Sequence, residues 1–288
     1  MTRVKIVTDS TADIPNSLAE ELDITVIPLK VNFSADETYL DGIELSPTAF
    51  YEKLQQANQM PTTSQPSPYD FEKLYNEIYD ESEEDTVIFS IHLSSKLSGT
   101  YQAATIAASE VEDKINVHVI DSKRASYSIG IIVADVAKLA IEGADQKAIQ
   151  DRIDVLLNET SVYFMVETLE YLQKNGRIGK AQALIGSLLK MKPILSLSKE
   201  GEVYPFEKAR GRKKAIDKIV ETLQETYKDQ PVDIGLSHAV APEVGDTVLE
   251  EIKARLNTQS TVKTEIGAVI GTHVGPGTVA VMVTPTKA

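Results

Sequence analysis

Three strand-like runs in the first half of the sequence end in loops rich in hydroxyls. Val4 to Thr8 leads into Asp9-Ser10-Thr11. Thr86 to Ile91 leads, through His92 and Leu93, into Ser94-Ser95-Lys96-Leu97-Ser98-Gly99-Thr100, and Val117 to Ile120 leads into Asp121-Ser122-Lys123-Arg124. A fourth stretch, Pro61-Thr62-Thr63-Ser64-Gln65-Pro66-Ser67-Pro68, carries its hydroxyls on backbone that the prolines keep extended. Short hydroxyls and unpaired N–H groups at helix N-termini suit a carboxylate or a phosphate. One such loop alone reads as a helix cap; four in one half of a chain point to an anion site. The second half adds Lys174-Asn175-Gly176-Arg177-Ile178-Gly179 between helices. It also adds Gly271-Thr272-His273-Val274-Gly275-Pro276-Gly277-Thr278, read as a Gly-rich loop between strands. His273, set among three glycines, reads as a site residue, with a plain surface turn as the competing reading. Arg177 in a turn would ordinarily be a solvated charge.

These residues leave two chemistries open. One is a module that binds an anionic ligand. The other is a phosphotransferase or hydrolase, with Asp9 as nucleophile or base and His273 as general acid. The sequence contains no G-x-x-x-x-G-K-[ST], no G-x-G-x-x-G and no G-x-S-x-G, so no nucleotide-phosphate loop or nucleophile elbow is expected. His92, His118, His238 and His273 show no metal-ligand spacing and there is no cysteine, so no metal site is expected.

The elements that must position these loops follow from periodicity. Up to about residue 158, strand and helix patterns alternate: Ile24 to Phe33 reads as a strand, Tyr69 to Tyr79 and Thr100 to Val111 as helices, and Ser128 to Ile141 as another helix. That alternation predicts an N-terminal α/β/α domain, 1–158, with a parallel sheet whose loops at the strands' carboxyl ends carry the hydroxyls. From residue 159 the strands lie closer together, with a hairpin pattern across Lys199-Glu200-Gly201. The second domain, 159–288, is therefore predicted to be α/β with a mixed or antiparallel sheet. Within it, Lys263 to Ile270 reads as a strand. Ala181 to Leu189 reads as an apolar helix, suited equally to core or to a ligand tunnel.

The 288 residues are 42% apolar and 25% charged, with a net charge of −14. A chain so acidic repels a phosphate backbone, so nucleic acid is not an expected partner. No apolar run reaches the roughly 18 residues of a membrane span, and the N-terminus begins as a strand rather than a signal peptide; stable membrane insertion is not expected and the cytoplasm is. Against this balance, Gln173 to Lys214 carries eleven Lys/Arg and three Asp/Glu, net +8. It reads as a solvated basic face or as a docking surface.

Five motifs occur in one order along nearly the whole chain: Val7-Thr8-Asp9-Ser10-Thr11-Ala12-Asp13, Thr62-Thr63-Ser64-Gln65-Pro66, Leu93 to Thr100, Asn175-Gly176-Arg177-Ile178-Gly179 and Gly271 to Gly277. In these the sequence resembles the DegV family. The resemblance implies a bacterial, two-domain α/β carrier that binds one long-chain fatty acid and needs no cofactor. It implies the lipid-binding subunit of fatty acid kinase, which is not itself the enzyme. A separate ATP-binding kinase subunit would phosphorylate the bound carboxylate for phospholipid synthesis. It also implies that Thr63 and Ser95 hydrogen-bond the carboxylate and that Arg177 and His273 stand near the head group. A regulatory module that only senses lipid is a further reading.

Overall fold

The computed structural model describes residues 3–82, 86–186 and 191–287. Its first sheet is fully parallel, in the order β2 (Ile24–Ile27), β1 (Arg3–Asp9), β6 (Thr86–His92), β7 (Asn116–Asp121). Every residue of β6 is buried, as expected for a central strand covered on both faces. Two helices lie on one face, α3 (Pro68–Asp80) and α4 (Thr100–Glu110), with Phe71, Tyr75, Ala103 and Ala107 packed on Val7 and Ile88. Helix α3 starts where Ser67-Pro68 predicts. Ser67 Oγ accepts the Asp70 N–H and Asp70 returns a bond to the Ser67 N–H, a reciprocal cap. The short α1 (Asn16–Glu21) leads into β2.

The expected single strand over 24–33 is broken. Pro28 has no N–H to give a ladder, and after it the chain leaves β2 for a second, small antiparallel sheet: β4 (Glu37–Leu40), β3 (Lys30–Ser34), β5 (Thr62–Ser64). Helix α2 (Pro47–Gln56), capped by Ser46, connects β4 to β5. Strand β5 is the extended stretch that the prolines predict, with Val31 opposite Thr63.

The third sheet has six strands in the order β10 (Val203–Ala209), β9 (Lys192–Leu197), β8 (Ser161–Met165), β13 (Val279–Pro285), β11 (Val232–His238), β12 (Thr258–Glu265). All pairs are antiparallel except β11 with β12, so the sheet is mixed. Helices α8 (Arg212–Tyr227) and α9 (Pro242–Lys253) cover its outer face.

Helix α5 (Tyr127–Ile141) lies between the parallel sheet and the six-stranded one. It is buried from Tyr127 through Ala134, and a helix apolar all round must have protein on every side. Gly130 approaches the Ala12 carbonyl, and Tyr127 packs against Gly235 of β11. Helix α6 (Gln146–Glu159) then brings the chain to β8.

Two expectations fail in the second half. The segment expected as helix over 181–189 contributes residues 181–184 to a short 3-10 helix, Gly179–Leu184, and 187–190 lie outside the described residues. The expected strand 263–270 ends at Glu265, and the expected loop 271–277 begins as helix α10 (Ala268–Val274); α7 (Glu170–Lys174) packs beside it.

Candidate functional site

A cavity of about 330 Å³ lies between the N-terminal loops and the inner face of the six-stranded sheet. Its walls are mostly apolar. Leu29 and Leu93 come from the first half, Val162, Phe164 and Ala280 from β8 and β13, and Ile266, Val269, Ile270 and Val274 from α10 and the residues before it. Most of its polar groups gather where β5, the 93–99 loop, the end of α7 and α10 meet. No aspartate or glutamate is among the described lining residues. An apolar chamber of a few hundred Å³ with a few convergent polar groups is the usual form of a small-molecule site.

Thr63, Arg177 and His273 stand together there. Thr63 Oγ1 is 2.9 Å from His273 Nε2. Burial, and secondarily the Arg177 guanidinium, push the His273 imidazole down to about 4, so the ring is neutral at pH 7. Its Nδ1 is buried and has no partner. A neutral ring has one N–H. If Thr63 donates to Nε2, Nδ1 carries a hydrogen aimed at no acceptor. If Nε2–H donates to Thr63, the threonine hydroxyl keeps its own hydrogen to give. Either tautomer leaves one donor of the pair without an acceptor.

Arg177 is positioned by its local sequence. Gly176 takes φ +71° after Asn175, and the chain closes α7 with Arg177 N–H to Leu172 O and Gly176 N–H to Gln173 O. This is the Schellman arrangement that glycine at this position permits. The guanidinium then reaches the other half of the molecule, where Nε donates to Leu97 O at 3.1 Å, while Nη1 donates back to Asn175 O at 2.7 Å.

Ser95 is placed elsewhere. Its Oγ donates to Asp121 Oδ2 at 2.6 Å and its N–H points to Asp121 Oδ1; the side chain is exposed and off the cavity wall. The tight turn after β6 is the reason: Ser94 Oγ is drawn to Gly201 O at 2.8 Å, which turns Ser95 outward and brings Leu97 and Ser98 inward. Ser64, Ser98, Ser126 and Thr278 also line the cavity, and sequence reasoning assigned none of them to the site. Ser98 sits two residues before α4, where hydroxyls are common as caps, and the only signal at Ser126 is the +58° φ, which a sequence does not display. None of the described residues of the 181–189 stretch lines this cavity.

Asp9 and His273 do not meet. Asp9 is fully buried, accepts from the Thr11 hydroxyl and N–H and from Leu93 N–H at 3.0 Å, and lies 2.9 Å from His92 Nδ1; it borders a different cavity. His92 Nε2 in turn lies 2.6 Å from Ser90 Oγ, to which Tyr75 donates at 2.9 Å. The spacing is that of a nucleophile–base–acid chain. Yet Ser90, His92 and Tyr75 are wholly enclosed by the sheet and α3, where a substrate has no room, so the chain serves as a buried strut. Among the described residues no group of three or more His, Asp or Glu is placed to hold a metal ion. No helix among them is long and apolar enough to cross a membrane.

The chain is 40% identical to Protein DegV of Bacillus subtilis over 283 residues, covering 96% of this chain and 98% of that one. A DegV domain-containing protein of Halalkalibacterium halodurans is 40% identical over 280 residues, 97% of each. Among solved structures, a DegV family protein from Thermus thermophilus described as fatty acid binding superposes with a TM-score of 0.91 at 35% identity. That match covers 99% of this chain and all of the other. DegV of Bacillus subtilis, described as a fatty acid binding protein, superposes with a TM-score of 0.88 at 37% identity, covering 99% and 100%. The model of the family described as uncharacterised protein, DegV family, matches residues 3–286, and this chain belongs to the DegV family.

Proposed function

We propose that the protein binds one long-chain fatty acid in this cavity, carboxylate at the Thr63–His273–Arg177 end and tail along the apolar wall. The single observation that carries the reading is the polar end itself: a neutral histidine whose Nε2 meets a threonine hydroxyl, with one arginine near and no carboxylate among the described lining residues. The solved relatives described as fatty acid binding support it. Energetically the tail dominates. About 14 methylenes at about 0.8 kcal/mol each give roughly 11 kcal/mol before ordering costs, against about 1.5–3 kcal/mol for a charge-assisted hydrogen bond at the head. The polar end therefore sets orientation more than affinity.

The same end suits a second step. Hydroxyl and imidazole donors hold a carboxylate without the tight bidentate clamp that would neutralise it, so an oxygen lone pair stays available to attack a phosphoryl group. No nucleotide-phosphate loop is present in the chain. We assign the phosphoryl donor to a separate ATP-dependent kinase subunit, making this protein a carrier rather than the enzyme, working in the cytoplasm. Ser95 joins the head group only if its bond to Asp121 opens. The rival use of Asp9 with His273 is disfavoured by their placement on different cavities.

The test is to denature the purified protein and analyse the extract by mass spectrometry, then to offer the stripped protein ATP, magnesium and palmitate. A stoichiometric fatty acid in the extract and no acyl phosphate from the protein alone are expected. A phosphate ester in the extract, or ATP-dependent product without a partner, overturns the reading.

A further inference from the structure

Helix α10 supplies one wall of the cavity and carries His273 in its last turn, yet no residue near it in sequence caps its start. The N-cap residue, Gly267, has no side chain to offer. Two carboxylates from the other half of the molecule take the first amides instead. Asp13 Oδ1 accepts Gly267 N–H at 2.9 Å, and Asp41 Oδ1 accepts Ala268 N–H at 3.0 Å. The approach to the helix is held by the same neighbourhood: the Thr264 hydroxyl donates to Asp13 O at 2.9 Å and the Tyr51 hydroxyl to Ile266 O at 3.1 Å. At the far end Asn175 Nδ2 donates to Thr272 O at 2.8 Å. The helix is therefore gripped at both ends by residues outside it.

The grip is costly in a way that local stability does not need. Asp13 and Asp41 are 8% and 3% exposed, and burying two neighbouring carboxylates is unfavourable. A serine, threonine or asparagine at 267 would cap a helix more cheaply, but a side chain there would press on the two carboxylates. A Cβ on Gly267 would lie 2.8 Å from Asp13 Oδ1 and 3.3 Å from Asp41 Oδ1. The second oxygen of Asp13 accepts from Ser126, which lines the ligand cavity and also touches Ser237 of β11. Asp41 Oδ2 has no partner. One carboxylate thus links the start of α10, the cavity wall and the six-stranded sheet.

The geometry points to Asp13 and Asp41 as positioning residues of the ligand cavity: by holding the first turn of α10 they set where His273 and that helix's apolar residues stand. The lipid arm of the test rests on the fatty-acid reading; the histidine arm does not. The stripped protein is compared with Asp41→Ala, Asp41→Asn and Gly267→Ala, each checked for folding by circular dichroism. Gly267→Ala disturbs the grip without removing either carboxylate, and so remains informative if Asp41→Ala fails to fold. The first readout is the titration midpoint of the His273 ring by NMR, the second the dissociation constant for palmitate. In Asp41→Ala and Gly267→Ala the midpoint should rise by about one pH unit or more as the ring gains water, and palmitate binding should weaken about tenfold. Asp41→Asn, which keeps an acceptor oxygen for Ala268, should restore both to near the wild-type values. A His273 midpoint unmoved in folded Asp41→Ala or Gly267→Ala overturns the proposal. If the wild type binds no palmitate, the fatty-acid reading falls while the midpoint still decides this one.

Discussion

His273 offers a quantitative check on the polar end of the cavity. Burial first, and then Arg177, hold its imidazole at about 4 instead of the ordinary 6.5. A depressed histidine favours the neutral ring in the folded state. Its contribution to stability is fully present above 6.5 and is lost as pH falls through about 4. That gap, at about 1.4 kcal/mol per pH unit, sets a ceiling of about 3 kcal/mol. The ring is only partly shielded because it borders the cavity, and screening by water there brings the expected figure to about 2 kcal/mol. The comparison is stripped wild type against His273→Gln, whose amide can still pair with Thr63 but does not titrate. Urea unfolding at pH 7, 6, 5 and 4 should show the wild type losing about 2 kcal/mol relative to the variant, most of it below pH 5.5. Adding palmitate places a carboxylate beside the ring, favours the imidazolium and lifts the midpoint, so the loaded wild type should lose less. Parallel stability profiles for the two stripped proteins would refute the buried, neutral placement of the ring.

Thr63→Ala removes one donor at the head group and should weaken palmitate binding by about 10- to 100-fold, or about 1.5–3 kcal/mol, with unfolding unchanged; an unaltered dissociation constant in a calorimetric titration would contradict the assignment. Asp41 should behave oppositely to His273 in pH. Burial raises it to about 6 from 3.8, so its contribution to stability is present below 3.8 and lost as pH rises through 6. Asp41→Asn should therefore gain on the wild type between pH 4 and pH 8, by up to about 3 kcal/mol in denaturant melts; a flat difference would show that the carboxylate is not held in its buried setting. For the basic segment, Arg212 is engaged with Glu167, so Arg210 and Lys213, both exposed, are the better probes. Reversing their charge should slow coupled turnover with a kinase subunit and flatten its salt dependence while palmitate binding holds. Unchanged turnover and salt response would leave that face merely solvated.

Which parts of this were legible in the sequence follows from what each signal physically depends on. The parallel sheet, the Ser67 cap and the extended Thr62–Ser64 stretch rest on local chemistry, namely β-branched runs, a hydroxyl before proline, and prolines on both flanks, and all three read directly. Helix α10 did not. Val269 and Ile270 continue a strand-like run and Gly271 and Gly275 look like loop. The helix is held at its start by Asp13 and Asp41, more than 220 positions away, and no local pattern carries that. The head-group loop was legible as a loop but not in its rotation. The family resemblance singles out Ser95, whereas the pull of Gly201 on Ser94 faces Ser98 to the cavity. Asp9 beside a strand end looked reactive because its partner His92, 83 positions on, is visible only in the fold.

Helix α5 has a consequence for how the cavity is reached. Because it packs on β1 and β2 of the parallel sheet and on β11 and β13 of the six-stranded one, no cleavage plane runs between the halves that does not also bare one face of this helix. Swinging the halves apart would expose to water that face, Tyr127 with it where the six-stranded sheet leaves, together with the apolar sheet residues it covers. At about 1.5–3 kcal/mol per large apolar side chain, that approaches the whole stability of an ordinary domain. The molecule should thus melt as one body, and amides at the centre of α5 should exchange with deuterium only in the rarest, global openings. A guest in the cavity must come and go through a small local parting of its rim while the frame around it stays shut.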